Sequence, residues 1–123
     1  DSDIRMIFVD FHAEATSEKV ALGWHLDGRV SAVVGTHTHI QTADERVLPG
    51  GTAYLSDAGM TGPVDSVIGI KISLAVGKFL TGVPCRFEVS GGKGQINGVV
   101  VEVNPENGRA LSIERISIQE TGS

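Results

Sequence analysis

Three histidines carry the chemistry this chain can offer. His37 and His39 stand one residue apart in Gly35-Thr36-His37-Thr38-His39-Ile40-Gln41, and His12 stands in Asp10-Phe11-His12-Ala13-Glu14. Neutral imidazoles are good ligands for first-row transition metals. In an extended segment, positions i and i+2 point the same way. His37 and His39 are therefore expected to face one cavity, with Thr36 and Thr38 directed elsewhere. A single His-x-His pair could simply satisfy loop hydrogen bonds. A third histidine beside a second strand favours a composite metal site.

The elements that must position these side chains are a strand, a helix and a strand. Residues 30–34 form a β-branched run closed by Gly35, which reads as a buried strand entering a loop. Residues 5–11 form a similar run, with His12 just past its end. Between them, Thr16 or Ser17 fits an N-cap, Glu18 suits the first helical turn, and Gly28 fits the position after the C-cap. Val20, Ala21 and Trp24 would form the apolar stripe of that helix, with Trp24 in the core. His25 in the same helix reads as a packing or surface residue rather than a ligand. Strand, helix, strand makes a right-handed βαβ unit the default, and it brings the ends of the two strands together. Open α/β sheets carry their sites at such C-terminal strand ends.

Beyond the histidine loop, residues 46–56 read as two short strands around Pro49-Gly50-Gly51. A loop of small residues follows, in which Asp57 and Asp65 could ligate or orient, although turn-capping is the simpler role for each. Residues 73–80 are the better helical part of the next stretch, and Gly82 could end it. The last third reads as strands at 85–90, 95–103 and 110–118 separated by glycine-rich turns, an antiparallel meander with one wet face. Gly91-Gly92-Lys93-Gly94 lacks the spacing of a P-loop, Cys85 heads a strand as an inert thiol, and the region is scaffold. The fold class expected is α/β: β-sheets flanked by helices, ending in an antiparallel meander.

Composition bounds the function. At 123 residues the chain has the size of one domain, and 41% apolar residues with 16 glycines suit a folded, loop-rich chain. The net charge of −5, without blocks of like charge, gives no surface for stable nucleic-acid binding. With one cysteine there is no internal disulfide and no cysteine-based zinc site. No apolar run is long enough to span a membrane and no signal peptide is visible, so the default expectation is a soluble, cytoplasmic protein. A start at Asp1-Ser2-Asp3 that leads straight into a core-like strand is expected of the back half of a longer chain.

Four blocks in order carry a resemblance: residues 9–19, 35–44, 48–54 and 59–63. Together they resemble the YmdB-like metallophosphoesterases, bacterial members of the calcineurin-like superfamily, over nearly the whole chain. The resemblance implies a binuclear centre of two divalent metal ions, iron or manganese with zinc admissible, that hydrolyses phosphodiesters. Its implied substrates are small cyclic nucleotides with a 2′,3′-cyclic phosphate. It also implies that His12 and His37 bind one metal and His39 the other.

The departures from the family pattern are as informative. Members are about twice this length, and their N-terminal half carries the Asp, Glu and Asn ligands, the bridging carboxylate and the proton-donor histidine. Residues 1–123 thus resemble the C-terminal half of the metallophosphoesterase sandwich, and the missing N-terminal half is the first expected partner, with a homo-oligomer compatible. Residues 69–73 also depart, since a charged helix start would be expected there.

Three histidines alone cannot bridge and neutralise a metal pair, so at least one carboxylate must come from elsewhere. Asp10, Glu14 and Asp44 are candidates to orient the imidazoles from behind. Two other readings compete. One is a different metal hydrolase with a His-x-His loop, such as an amidohydrolase, whose barrel needs more strands than this chain offers. The other is a non-catalytic binding or assembly domain holding one structural metal or none.

Overall fold

The computed structural model describes residues 3–121, so the Asp1-Ser2 start lies outside the described residues. The elements run β1 (Phe8–His12), α1 (Thr16–Leu26), β2 (Ala32–Thr36), β3 (Arg46–Val47), β4 (Ala53–Leu55), β5 (Gly62–Pro63), α2 (Ile72–Thr81), β6 (Gly94–Val103) and β7 (Ala110–Gln119). They form a four-stranded sheet of order β1-β2-β4-β3 and a three-stranded sheet of order β5-β6-β7. The fold is mixed α/β. In the first sheet β1, β2 and β4 are parallel, as the strand–helix–strand pattern requires, and β3 returns antiparallel to β4.

Alternation along the strands builds the layers. Ala32 and Ala53 face one way and pack with Ala110, Val101 and Ile113 of the second sheet. Val33 and Tyr54 face the other way and pack with Leu48 and with Val20, Leu22 and Leu26 of α1. Helix, sheet and sheet are stacked in that order, and β2, covered on both sides, is buried from Ala32 to Gly35.

Several expected boundaries move. β2 runs on to Thr36, so Gly35 lies inside the strand instead of closing it. The reason is tertiary: a Cβ at Gly35 would collide with the Ser56 carbonyl and come within 2.9 Å of Lys19 Cδ. Helix α1 starts after Ala15 with no side-chain cap, so neither Thr16 nor Ser17 serves as N-cap. Gly28 does follow the C-cap Asp27 with φ +84°. The helix is also rotated from the expected stripe. Lys19 and Gly23 face inward, Gly23 because a side chain there would strike the Tyr54 ring. Trp24, expected in the core, is 49% exposed, with the Arg46 guanidinium 5.4 Å from its ring centroid.

The last third is only partly strand. β6 and β7 form a long antiparallel hairpin, but residues 85–90 make a single bridge, Val89 to Ile70, and Cys85 is an exposed thiol outside any strand. Their backbone partner is the short stretch 69–71, where Lys71 N–H donates to the Glu88 carbonyl and Ser90 N–H to the Gly69 carbonyl, too short a pairing to make a ladder. The face expected to be wet carries exposed Ile96, Val100 and Ile118 beside its polar residues. Helix α2 ends at Gly82 in the left-handed conformation, as expected, and its Phe79 and Leu80 are exposed. No helix among the described residues is long and apolar enough to cross a membrane.

Candidate functional site

The parallel register places His12, the last residue of β1, opposite Thr36, the last residue of β2. His12 Nδ1 lies 3.0 Å from Thr36 Oγ1, and that hydroxyl reaches Asp10 Oδ1 at 3.5 Å. With the hydroxyl donating to the carboxylate, its oxygen is free to accept from His12 Nδ1–H. This leaves the lone pair on His12 Nε2. His37 Nδ1 then donates to that nitrogen at 3.2 Å, the two rings meeting edge to face with centroids 5.0 Å apart. The chain Asp10–Thr36–His12–His37 is consistent with one set of tautomers, in which His37 Nε2 is the bare nitrogen of the pair.

His39 is placed differently. The backbone leaves the strand at Thr36, and His37 (φ +129°) and His39 (φ +67°) are both in the left-handed region. The i, i+2 rule for extended chain therefore does not apply to this loop. His39 Nδ1 donates to the Ile68 carbonyl at 2.9 Å, which leaves its Nε2 lone pair unused. Ile68 itself has φ +43°, a strained conformation for a β-branched residue. His12 and His37 are brought together, whereas His39 is anchored to another loop. Among the described residues, no group of three or more His, Cys, Asp or Glu side chains is gathered to hold a metal unaided.

Under the loop lies a buried ion pair that the sequence reading did not single out. Lys19 Nζ sits 3.2 Å from Asp57 Oδ2, and both side chains are 1% exposed. Asp57 follows β4, so three parallel strands end beneath the same loop. The carboxylate accepts Thr38 N–H at 2.8 Å and Gly59 N–H at 2.9 Å. Burial pushes the Asp57 carboxyl up, but the hydrogen bonds from Thr38, Gly59 and Lys19 outweigh it and hold the group below its ordinary 3.8. Capping of turns was expected of Asp57; the buried lysine was not. The available signal was a lysine four residues before Gly23 on what proves to be the inner face of α1.

Of the carboxylates expected to orient imidazoles, Asp10 does so through Thr36. Asp44 does not: it accepts from the Ser56 backbone and hydroxyl and from Thr42 Oγ1. Burial raises the Asp44 carboxyl, and those hydrogen bonds bring it below 3.8. Glu14 and Asp65 are exposed, and His25 is a surface residue 3.5 Å from the Arg29 guanidinium. Gln41, also unpredicted, sends its amide nitrogen to the carbonyls of Ala58, Gly98 and Ile116, joining the histidine loop to the second sheet.

The profile of the family described as YmdB-like protein matches residues 1–116. The chain belongs to the YmdB-like family. A relative from Bacillus subtilis (strain 168), named 2′,3′-cyclic-nucleotide 2′-phosphodiesterase, is 56% identical over 114 residues, which cover 93% of this chain and 43% of the relative. The fold is shared with the crystal structure of a hypothetical protein from Thermus thermophilus, at TM-score 0.89 and 44% identity, over 95% of this chain and 46% of that one. The crystal structure of a novel phosphatase from Mycoplasma pneumoniae matches at TM-score 0.86 and 45% identity, over 90% and 40% of the two chains. This YmdB-like chain thus spans less than half the length of the relatives it matches.

The donor set fits a metal in part. His12 and His39 each have Nδ1 engaged by an oxygen and Nε2 directed away from it, the arrangement by which protein acceptors orient metal-binding imidazoles. Three neutral imidazoles supply no negative charge, so they would hold divalent ions only together with carboxylates from another segment.

Proposed function

We propose that this chain is the C-terminal, histidine-bearing half of a phosphodiesterase whose substrates are small phosphodiesters, 2′,3′-cyclic nucleotides first among them. The observation that carries the reading is the relay in which Asp10, Thr36 and His12 fix the imidazole tautomers at the ends of two parallel strands. His12, His37 and His39 would hold two divalent ions, iron, manganese or zinc, with His12 giving up the contact from His37 Nδ1 to free its Nε2. When bound, such a pair supplies an activated hydroxide and neutralises the phosphate charge. The chain's own work is orientation: Thr36 aims His12, the Ile68 carbonyl aims His39, and the 37–41 loop is tied down by Asp57 and Gln41.

The carboxylate ligands and the proton donor are assigned to the N-terminal half. Its docking place is the open edge of β1, where Met6 and Phe8 lie exposed beside an unpaired strand face. A free Cys85 and a nucleotide substrate go with a cytoplasmic setting. The test is hydrolysis of 2′,3′-cyclic AMP by the full-length protein with Mn²⁺, before and after chelation. Turnover that disappears on chelation and falls at least about 100-fold in His37→Ala supports the reading. Chelator-resistant turnover, or a fully active His37→Ala enzyme, contradicts it.

A further inference from the structure

We propose that the buried Lys19–Asp57 ion pair is the positioning device of the histidine loop, fixing the Thr38 backbone and through it the directions of His37 and His39. The inference rests on the metal-binding reading above. Non-glycine residues hold left-handed conformations only where their surroundings over-determine them, and His37 and His39 both do so on either side of Thr38. The group that grips Thr38 is Asp57, whose Oδ2 accepts the Thr38 N–H at 2.8 Å and the Lys19 ammonium at 3.2 Å.

Asp57 holds the other end of the loop as well. Its carbonyl accepts Thr42 N–H at 3.0 Å, and its own N–H donates to Thr42 Oγ1 at 3.0 Å. One residue therefore clamps the backbone at 38 and at 42, with the two histidines at the near end of the span. Asp57 touches neither imidazole; it acts through the main chain.

The lysine keeps that clamp charged. A carboxylate buried without a cation would take up a proton and lose acceptor strength at the oxygen that Thr38 uses. Lys19 reaches it from α1 along Gly35, where the missing side chain leaves room for the lysine stem. Apolar residues of similar volume often replace a buried pair of this kind with no loss of stability. What such residues cannot supply is an oriented anionic acceptor.

That difference makes the role testable. The full-length protein, stripped of metal, is titrated with Mn²⁺ by calorimetry, and thermal unfolding of each metal-free form is recorded beside it. The double variant Lys19→Met/Asp57→Leu removes both charges together. It should stay folded while Mn²⁺ affinity falls about tenfold or more, the size expected when groups that orient ligands are lost. Should the double variant fail to fold, Asp57→Asn decides, since its amide cannot accept both the Thr38 and Gly59 N–H groups, and the same loss is expected. A folded variant with unchanged Mn²⁺ affinity overturns the positioning role and leaves the metal reading intact. Wild-type protein that binds no Mn²⁺, or binds it no better than His37→Ala does, overturns that reading and this inference with it.

Discussion

His12 and Thr36 face each other across the parallel pair β1–β2, with His12 Nδ1 3.0 Å from the Thr36 hydroxyl oxygen, placed to donate to it. The contact follows from register: the last residue of one strand is aligned with the last residue of the other. It sets the tautomer of His12, and through the 3.2 Å contact it sets that of His37. Thr36→Val keeps the strand and the shape but removes the acceptor. In the full-length protein this change should weaken metal binding about tenfold with little effect on the unfolding temperature. Calorimetric titration with Mn²⁺ checks it, and wild-type affinity would show that the relay has no role in orienting His12.

Gly35 is demanded by space, not by backbone freedom. A methyl group there would meet the Ser56 carbonyl on β4's side and the Lys19 stem on the helix side. Both neighbours are buried, so neither can swing into solvent. Gly35→Ala should cost about 2–3 kcal/mol, read as a lowered urea midpoint. A cost below about 0.5 kcal/mol would mean that the sheet yields easily at this point.

The Asp57 carboxyl is held below 3.8 in the folded protein, so between its folded and unfolded pKa values the unfolded chain binds more protons. Its contribution to stability is therefore present above the unfolded value and is lost as pH falls through the folded one. Metal-free full-length protein should lose stability on going from about pH 6 to about pH 3.5 more steeply than Asp57→Asn does. Urea midpoints measured across that range test the sign, and parallel curves for the two proteins would contradict it.

Much of the framework was legible in the residues. The parallel pairing of the strands around α1, the hairpin at Pro49-Gly50-Gly51, the helix ending at Gly82 and the β6–β7 hairpin follow from local pattern and turn chemistry. What was hidden depended on distant partners. Gly35 looked like the end of a strand because glycine usually punctuates, yet its reason is a carbonyl on Ser56. Trp24 looked inward because it is apolar, but the helix turns Lys19 inward to meet a carboxylate 38 residues away. Residues 85–90 have strand composition but pair only through a single bridge to Ile70. Of the candidate site, the three histidines stood out as residue types, whereas the divergence of His39 came from positive φ values that no spacing rule discloses.

The most direct test of the account is the metal content per chain of the full-length protein, purified without chelator and compared with two variants. His12→Ala/His37→Ala removes the pair that meets at 3.2 Å, and His25→Ala removes the surface histidine beside Arg29. Roughly two metals per chain are expected in the wild type and in His25→Ala, with at least one lost in the double variant. An unchanged metal count in His12→Ala/His37→Ala would contradict the account at its centre.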